Sequence, residues 1–84
     1  MAVEAVSNLY VSEGTASAGL TLTFPWRCRY LEIINDSGAY VLQFKFKSSQ
    51  SYATLNPYEV VNPPVEVTQV ILSGSGAYRV RAYG

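Results

Sequence analysis

The side chains that could do nucleophilic, acid–base or metal chemistry are few in this chain of 84 residues. The sequence has one cysteine, Cys28, and no histidine, so it can form neither a Ser-His-Asp triad nor a Cys-His pair. A zinc or copper site would need an unusual set of carboxylates and one thiolate. No base follows or precedes Cys28 closely enough to generate its thiolate, which favours a small packing residue. We therefore expect no metal and no cofactor.

The carboxylates are scattered along the chain, at Glu4, Glu13, Glu32, Asp36, Glu59 and Glu66. Two of them could approach each other as the acid pair of a glycosidase does, but a domain this short leaves little room for the cleft that such chemistry needs. Residues 74–76, Gly-Ser-Gly, superficially resemble a phosphate-binding loop. They lead into a strand pattern, whereas phosphate loops open a helix. We therefore predict that the protein is not an enzyme.

The basic residues are less random than the acidic ones. All six occur as pairs spaced two apart: Arg27 with Arg29, Lys45 with Lys47, and Arg79 with Arg81. Strand geometry places both members of a pair on the same face. One interpretation is that these cations keep edge strands from aggregating. The other is that Arg79 and Arg81, flanked by Tyr78 and Tyr83, dock onto acidic patches of a neighbouring protein.

Trp26 follows Pro25 at a predicted strand junction and permits a second hypothesis, in which its ring stacks on a sugar. Packing in the core or at an interface is the alternative that we favour for this side chain. The candidate protein interface predicted from sequence therefore comprises Trp26, Arg27, Arg29, Tyr78, Arg79, Arg81 and Tyr83.

Composition limits the possible partners. The formal net charge is zero, so the chain lacks the field that draws proteins to nucleic acid or anionic membranes. Charged residues are 14% of the chain and aromatic residues 13%, which indicates a surface partly covered by other proteins, although strand-rich proteins also favour aromatics. The start lacks the regions of a secretory signal, and no apolar run approaches the roughly 20 residues of a membrane helix. We expect synthesis and accumulation in the cytoplasm, without nucleic-acid or membrane partners.

The elements that must position these residues are predicted to be strands. Residues 65–84 read as two strands around a loop at 73–76, and we predict a hairpin there. Its second strand would direct Tyr78, Val80 and Ala82 to one face and Arg79, Arg81 and Tyr83 to the other. Further strands are predicted at 20–24, 26–35, 39–47 and 52–55, with the strand at 39–47 paired to the one before it. Residues 2–13 are predicted to be an early strand or an extended arm.

Six to eight short strands with frequent turn signals and no convincing helix indicate an all-β fold. We predict a small antiparallel β-sandwich with jelly-roll-like topology, as a single domain over residues 1–84 in which residues 1–13 form an N-terminal arm or edge strand. A core of this size is small. Because disulfides and metals are not available to supplement it, oligomerisation or docking on a larger partner is expected.

Residues 27–84 resemble small structural proteins from the head and tail gene clusters of tailed bacteriophages. The resemblance is carried by a strand and turn at residues 31–36, a strand at 44–47, a turn with Leu55, Pro57 and Glu59, and a closing pattern at 70–83. For a free-standing chain of this length, it is most similar to a capsid decoration, or cement, protein.

This resemblance implies a virion structural protein on the outer surface of the capsid, made in the host cytoplasm. It would stabilise the shell by bridging subunits of the major capsid protein, as a homo-oligomer for which a trimer is favoured. The alternatives are a neck, tail or fibre-adaptor component of the virion, or a small carbohydrate-binding adhesion module.

Overall fold

A computed structural model describes residues 8–84, and this part of the chain contains eight β-strands and no helix. The strands are β1 (Leu9–Thr15), β2 (Leu20–Thr23), β3 (Tyr30–Asn35), β4 (Leu42–Lys45), β5 (Ala53–Leu55), β6 (Val60–Val61), β7 (Gln69–Ser73) and β8 (Ala77–Tyr83). Among the described residues, no helix is available that could cross a membrane.

The eight strands form two antiparallel sheets of four strands each. Sheet A has the order β1-β8-β3-β6 and sheet B the order β2-β7-β4-β5. This order is that of a jelly roll, which confirms the fold class predicted from the sequence. Of the strands that follow each other in sequence, only β4 and β5 pair with each other. All other connections between described strands cross from one sheet to the other.

The core lies between the two sheets and is built by alternation along the strands. On β8, Tyr78, Val80 and Ala82 are buried, as the sequence pattern predicts, while the residues between them are half-buried on the outer side. β7 is buried through Val70, Ile71 and Leu72 because it is an inner strand of sheet B. The cluster at the centre consists of Ala16, Leu22, Phe24, Cys28, Leu31, Ile33, Leu42, Leu55, Val70, Leu72, Tyr78, Val80 and Ala82.

The hairpin predicted at residues 65–84 is wrong. β7 pairs with β2 and β4, whereas β8 pairs with β1 and β3, so the loop at 73–76 crosses from sheet B to sheet A. The loop packs tightly on the segment before β4. Gly74 has a φ of 142°, and a Cβ on it would lie 2.6 Å from Leu42 Cδ2. The glycine therefore serves a close crossing between sheets instead of a tight reversal within one.

The strand predicted at 26–35 begins only at Tyr30, because the chain changes sheets just before it. Phe24 and Cys28 donate their N–H groups to the carbonyls of Thr68 and Val67, which precede β7 in sheet B. The Arg29 N–H then donates to the Tyr83 carbonyl of β8 in sheet A, at 2.7 Å. Residues 24–29 are thus a crossing segment.

The strand predicted at 39–47 is β4, which is shorter than expected and lies in sheet B, whereas β3 lies in sheet A. The predicted pairing of these two strands is therefore wrong as well. β1 occupies an edge of sheet A. The first part of the predicted arm, residues 1–7, lies outside the described residues.

Candidate protein interface

The outward side chains of sheet A form a surface that we call the outer face. Register places its side chains in three rows that run across β1, β8 and β3. The rows are Leu9–Tyr83–Tyr30, Val11–Arg81–Glu32 and Glu13–Arg79–Ile34. Side chains in one row are direct neighbours, because cross-strand pairs lie roughly 5 Å apart at their Cβ atoms.

Two ion pairs fix the arginines of the outer face. Arg79 donates from Nε and Nη2 to the two carboxylate oxygens of Asp36, at 3.0 and 2.9 Å. Arg81 donates from Nη1 to Glu32 at 2.7 Å. The hydrogen bond from Arg79 holds the pKa of Asp36 below its ordinary value and correspondingly raises the pKa of Arg79. The predicted cationic stripe is therefore neutralised within the chain and does not face a partner as free charge.

Besides these ion pairs and Glu13, the outer face carries exposed apolar side chains. Leu9 is 57% exposed, while Val11 and Tyr30 are each 49% exposed. The Tyr30 and Tyr83 rings meet edge-on with centroids 5.4 Å apart, which braces both rings. Exposed aliphatic and tyrosine side chains beside paired charges are the composition expected where another protein docks.

The predicted interface residues separate into groups in the structure. Arg79, Arg81 and Tyr83 share the outer face. Tyr78 does not: it is 6% exposed, points into the core, and its hydroxyl is 2.9 Å from Ser12 Oγ. Its assignment to a surface interface is wrong, because neighbouring residues of a strand face opposite sides of the sheet.

Trp26 is half-buried and packs against the core. A Cβ on Gly84 would lie 2.8 Å from Trp26 Cε3, so the chain covers one part of the indole ring. Arg27 and Arg29 are exposed, but they belong to the crossing segment and do not form a stripe on a strand.

Arg27 instead contributes to an open groove of about 550 Å³. The groove is lined by Arg27, Phe46, Lys47, Val65, Glu66, Val67, Thr68 and Gln69. The second cation pair is divided as well. Lys47 lines this groove, whereas Lys45 Nζ lies 4.3 Å from the centroid of the Tyr52 ring and donates to the Ser48 carbonyl.

Chemistry-bearing groups are not gathered into a site within residues 8–84. These residues contain no group of three or more possible metal ligands. Cys28 is buried in the core, as the packing interpretation requires. The buried side-chain nitrogen and oxygen atoms of the same residues all have hydrogen-bond partners.

Sequence reasoning missed the partners of the arginines. Glu32 and Asp36 were treated as scattered carboxylates, yet β3 brings them beside β8. The signal that could have found them is register, since pairing Ile33 with Val80 sets Glu32 opposite Arg81. Sequence reasoning also missed Tyr58, which is 73% exposed and has a φ of 61°.

Comparison with known proteins finds solved structures that are similar to this chain at low sequence identity and low TM-score. No protein-family model matches the chain, and no curated protein sequence matches it. Among solved structures, BH2720 of Bacillus halodurans is similar with a TM-score of 0.49 and 10% identity, over 90% of this chain and 63% of that one. The capsular polysaccharide assembling protein CapF of Staphylococcus aureus is similar with a TM-score of 0.44 and 22% identity, over 87% of this chain and 23% of that one. At these identities and TM-scores, neither protein assigns an activity, ligand or partner to this chain.

Proposed function

We propose that this chain is a bacteriophage virion structural protein that decorates the capsid and stabilises it by bridging subunits of the major capsid protein. It acts by surface contact, without catalysis, as a homo-oligomer on the outside of the shell. The outer face of sheet A is the observation on which the docking part of this proposal rests. The assignment to the virion rests on the sequence resemblance at residues 27–84.

The outer face suits a protein partner better than a small molecule. Small-molecule sites are concave, and the groove of about 550 Å³ is lined by residues that lie outside this face. Arg79, Arg81 and Glu32 of this face are already held in ion pairs, so docking does not have to order them. Glu13 is the charged side chain of the three rows that lies outside these pairs. Burying Leu9, Val11 and Tyr30 would remove exposed apolar surface from water. Each is already about half-buried, so covering it contributes about half of the roughly 1.5–3 kcal/mol for complete burial of a large apolar side chain.

The motifs behind the resemblance lie in the framework that presents this face. The pattern at 31–36 is β3 with the first residue of its turn, and the pattern at 70–83 covers most of β7 and all of β8. β8 and β3 are the two inner strands of sheet A, and β7 is an inner strand of sheet B. Proteins that share these motifs would therefore share the same scaffold.

Binding to empty capsid shells tests the proposal. We expect the chain to co-sediment with shells, and we expect shells without it to open at lower temperature or to lose their resistance to low salt. Tyr30→Glu places a charge in the outer face and should abolish co-sedimentation. Tyr58→Glu is the matched control, since Tyr58 is also exposed but lies outside sheet A in the turn before β6. If the unchanged protein does not bind shells, or if Tyr30→Glu and Tyr58→Glu bind them equally, the proposal is contradicted.

A neck, tail or fibre-adaptor role is the alternative within the virion. It uses the same kind of contact, so the copy number per particle separates the two roles: a decoration protein is present in large numbers, and a neck or tail component in few.

The carbohydrate-binding alternative gains some support from Tyr58 and Tyr40, which are 73% and 55% exposed. It loses support from Trp26, whose ring is partly covered. Glycan-array binding that Tyr58→Ala abolishes would favour this alternative over a capsid role.

A further inference from the structure

β1 is an edge strand of sheet A, and two hydrogen bonds identify which of its backbone groups lack a partner strand within residues 8–84. The Gly84 N–H donates to the Asn8 carbonyl at 3.1 Å, and the Ala16 N–H donates to the Gly76 carbonyl at 2.9 Å. Bonding in an antiparallel ladder alternates along the strand, so the even-numbered residues of β1 bond to β8. The odd-numbered residues therefore direct their N–H and C=O groups away from β8, on the side where no other described strand pairs with β1. These residues are Leu9, Val11, Glu13 and Thr15.

The other three sheet edges are short and are followed by prolines, whereas β1 is longer and has the single charged side chain of Glu13 as its protection. β6 has two residues and is followed closely by Pro63 and Pro64. β5 has three residues with Pro57 after it, and β2 has four with Pro25 after it. β1 has seven residues without a proline or a lysine. Long edges without such devices pair readily with another strand.

We propose that β1 pairs with β1 of a second copy of this chain, antiparallel about a two-fold axis at Ser12, so that the two copies of sheet A become one eight-stranded sheet. This interface is independent of the proposed capsid role. It is two-fold, so it predicts a dimer in place of the trimer that the resemblance favours. Up to about eight backbone hydrogen bonds would form across the edge.

Self-complementarity is the argument for a second copy, and it also selects the register. With the axis at Ser12, all seven residues of β1 find a partner, and Glu13 lies opposite Val11 of the second copy. An axis at Glu13 would oppose two carboxylates directly, which is unfavourable. An axis at Val11 would leave Gly14 and Thr15 without partners in the opposite β1.

The inner side of the strand fits the same register. An axis at Ser12 sets Tyr10 opposite Gly14 of the second copy, so a large side chain meets a residue that has none. Tyr10 is already held in place by its contact with Phe24, at a centroid separation of 5.0 Å. The two copies can therefore pair without a clash between the Tyr10 ring of one copy and that of the other.

Sedimentation equilibrium of two proline variants, one at each edge of sheet A, tests the interface. The unchanged chain should have twice the 9.2 kDa mass of one copy. Val11→Pro removes an outward N–H and keeps the bonds to β8, a position at which edge strands tolerate proline. Because each copy loses one bond, we expect the dimer dissociation constant to rise by at least about tenfold.

Val60→Pro is the matched control on the opposite edge of sheet A. Val60 is 48% exposed and Val11 is 49% exposed. The Asn35 N–H donates to the Glu59 carbonyl, so Glu59 is a residue that bonds to β3. Bonding alternates along the strand, so the N–H of the next residue, Val60, points away from β3, as the N–H of Val11 points away from β8. Val60→Pro should leave the dimer intact. A monomeric or trimeric unchanged chain, or a Val11→Pro protein that still dimerises as tightly as the unchanged chain, would overturn the proposal.

Disulfide trapping decides the matter even where a proline variant does not fold. Ser12→Cys brings two thiols together at the axis, at a Cα separation of about 4.5 Å, which a disulfide can span. Cys28 is buried and does not compete. We expect oxidised Ser12→Cys to give a covalent dimer, and Tyr52→Cys, on a half-buried residue outside β1, to give none. The absence of a Ser12→Cys dimer, or equal cross-linking in both variants, would overturn the pairing.

Discussion

The two edges of sheet A, β1 and β6, are closed to very different extents. β6 spans only Val60–Val61 and lies between the turn at residues 56–59 and a proline pair. Beside it, the Asn35 side chain at the end of β3 holds the backbone of two neighbouring segments: its Nδ2 donates to the carbonyls of Tyr40 and Leu55, at 2.8 and 3.1 Å. β1, in contrast, has one side-chain hydrogen bond of its own to the sheet, between Ser12 and Tyr78.

This difference shows how one sheet can have one edge that resists pairing with a further strand and another edge that permits it. At β6, the shortness of the strand and the prolines that follow it leave few backbone groups with which a foreign strand could pair. At β1, every second residue forms its backbone hydrogen bonds with β8, and the residues between them leave their N–H and C=O groups available to a partner strand. Four changes can sharpen or break this contrast.

Asn35→Leu should have the largest effect. Asn35 is fully buried at the end of β3, and its Oδ1 also accepts a hydrogen bond from the Ser37 N–H at 2.9 Å. Leucine has a similar volume but leaves several backbone groups without partners, so we expect a loss of about 2–4 kcal/mol in the free energy of unfolding. Urea denaturation measures it. Asn62→Leu, at an exposed position, should cost little; equal losses would contradict the role assigned to Asn35.

The bond between Ser12 and Tyr78 should contribute less, because it lies beside the open edge. A double-mutant cycle with Ser12→Ala and Tyr78→Phe isolates it, and we expect a coupling of about 0.5–1.5 kcal/mol. Thermal or urea unfolding of the four proteins provides the values. A coupling near zero would mean that only the backbone ladder to β8 holds β1.

Tyr58→Asn should raise stability slightly. The Tyr58 φ of 61° is unfavourable for a bulky side chain, whereas asparagine adopts this conformation more easily. The ring is mostly exposed, so little burial is lost, and we expect a gain of about 0.5 kcal/mol. Tyr40→Asn is the control, since Tyr40 is exposed but has no positive φ. A loss of stability in Tyr58→Asn would mean that the contact of the ring with Gly38 outweighs the backbone strain.

The Asp36–Arg79 pair should have the smallest effect, since both side chains are about one-third exposed. The pKa of Asp36 is lower in the folded chain than its ordinary value of 3.8. The contribution of the pair is therefore complete above that value and is lost as the pH falls through the folded pKa.

Melting temperatures between pH 5 and pH 2 test this sign. The unchanged protein should lose roughly a few °C more than Asp36→Asn over that range. Glu66→Gln, which alters an exposed carboxylate that takes no part in the ion pairs of the described residues, should behave like the unchanged protein. A steeper loss in Asp36→Asn would reverse the sign of the assigned interaction.

The sequence by itself determined the strand character, the turns and the faces of β8. Alternation of Tyr78, Val80 and Ala82 with Arg79 and Arg81 is a local property of a pleated strand, so it could be predicted without knowing any partner. The all-β class followed from the same kind of pattern, and the jelly-roll order agreed with the expectation from size and strand number.

Only the tertiary structure decided which strands are neighbours. Residues 73–76 have the composition of a hairpin turn, yet the loop crosses between sheets because β7 and β8 are each bonded on both sides by other strands. Pairing across the sheet also turned Glu32 and Asp36 into partners of the arginines and left β1 at an open edge. Side-chain periodicity reports which face of a strand is buried, but backbone hydrogen bonds join strands far apart in the chain, and local sequence carries little information about that choice.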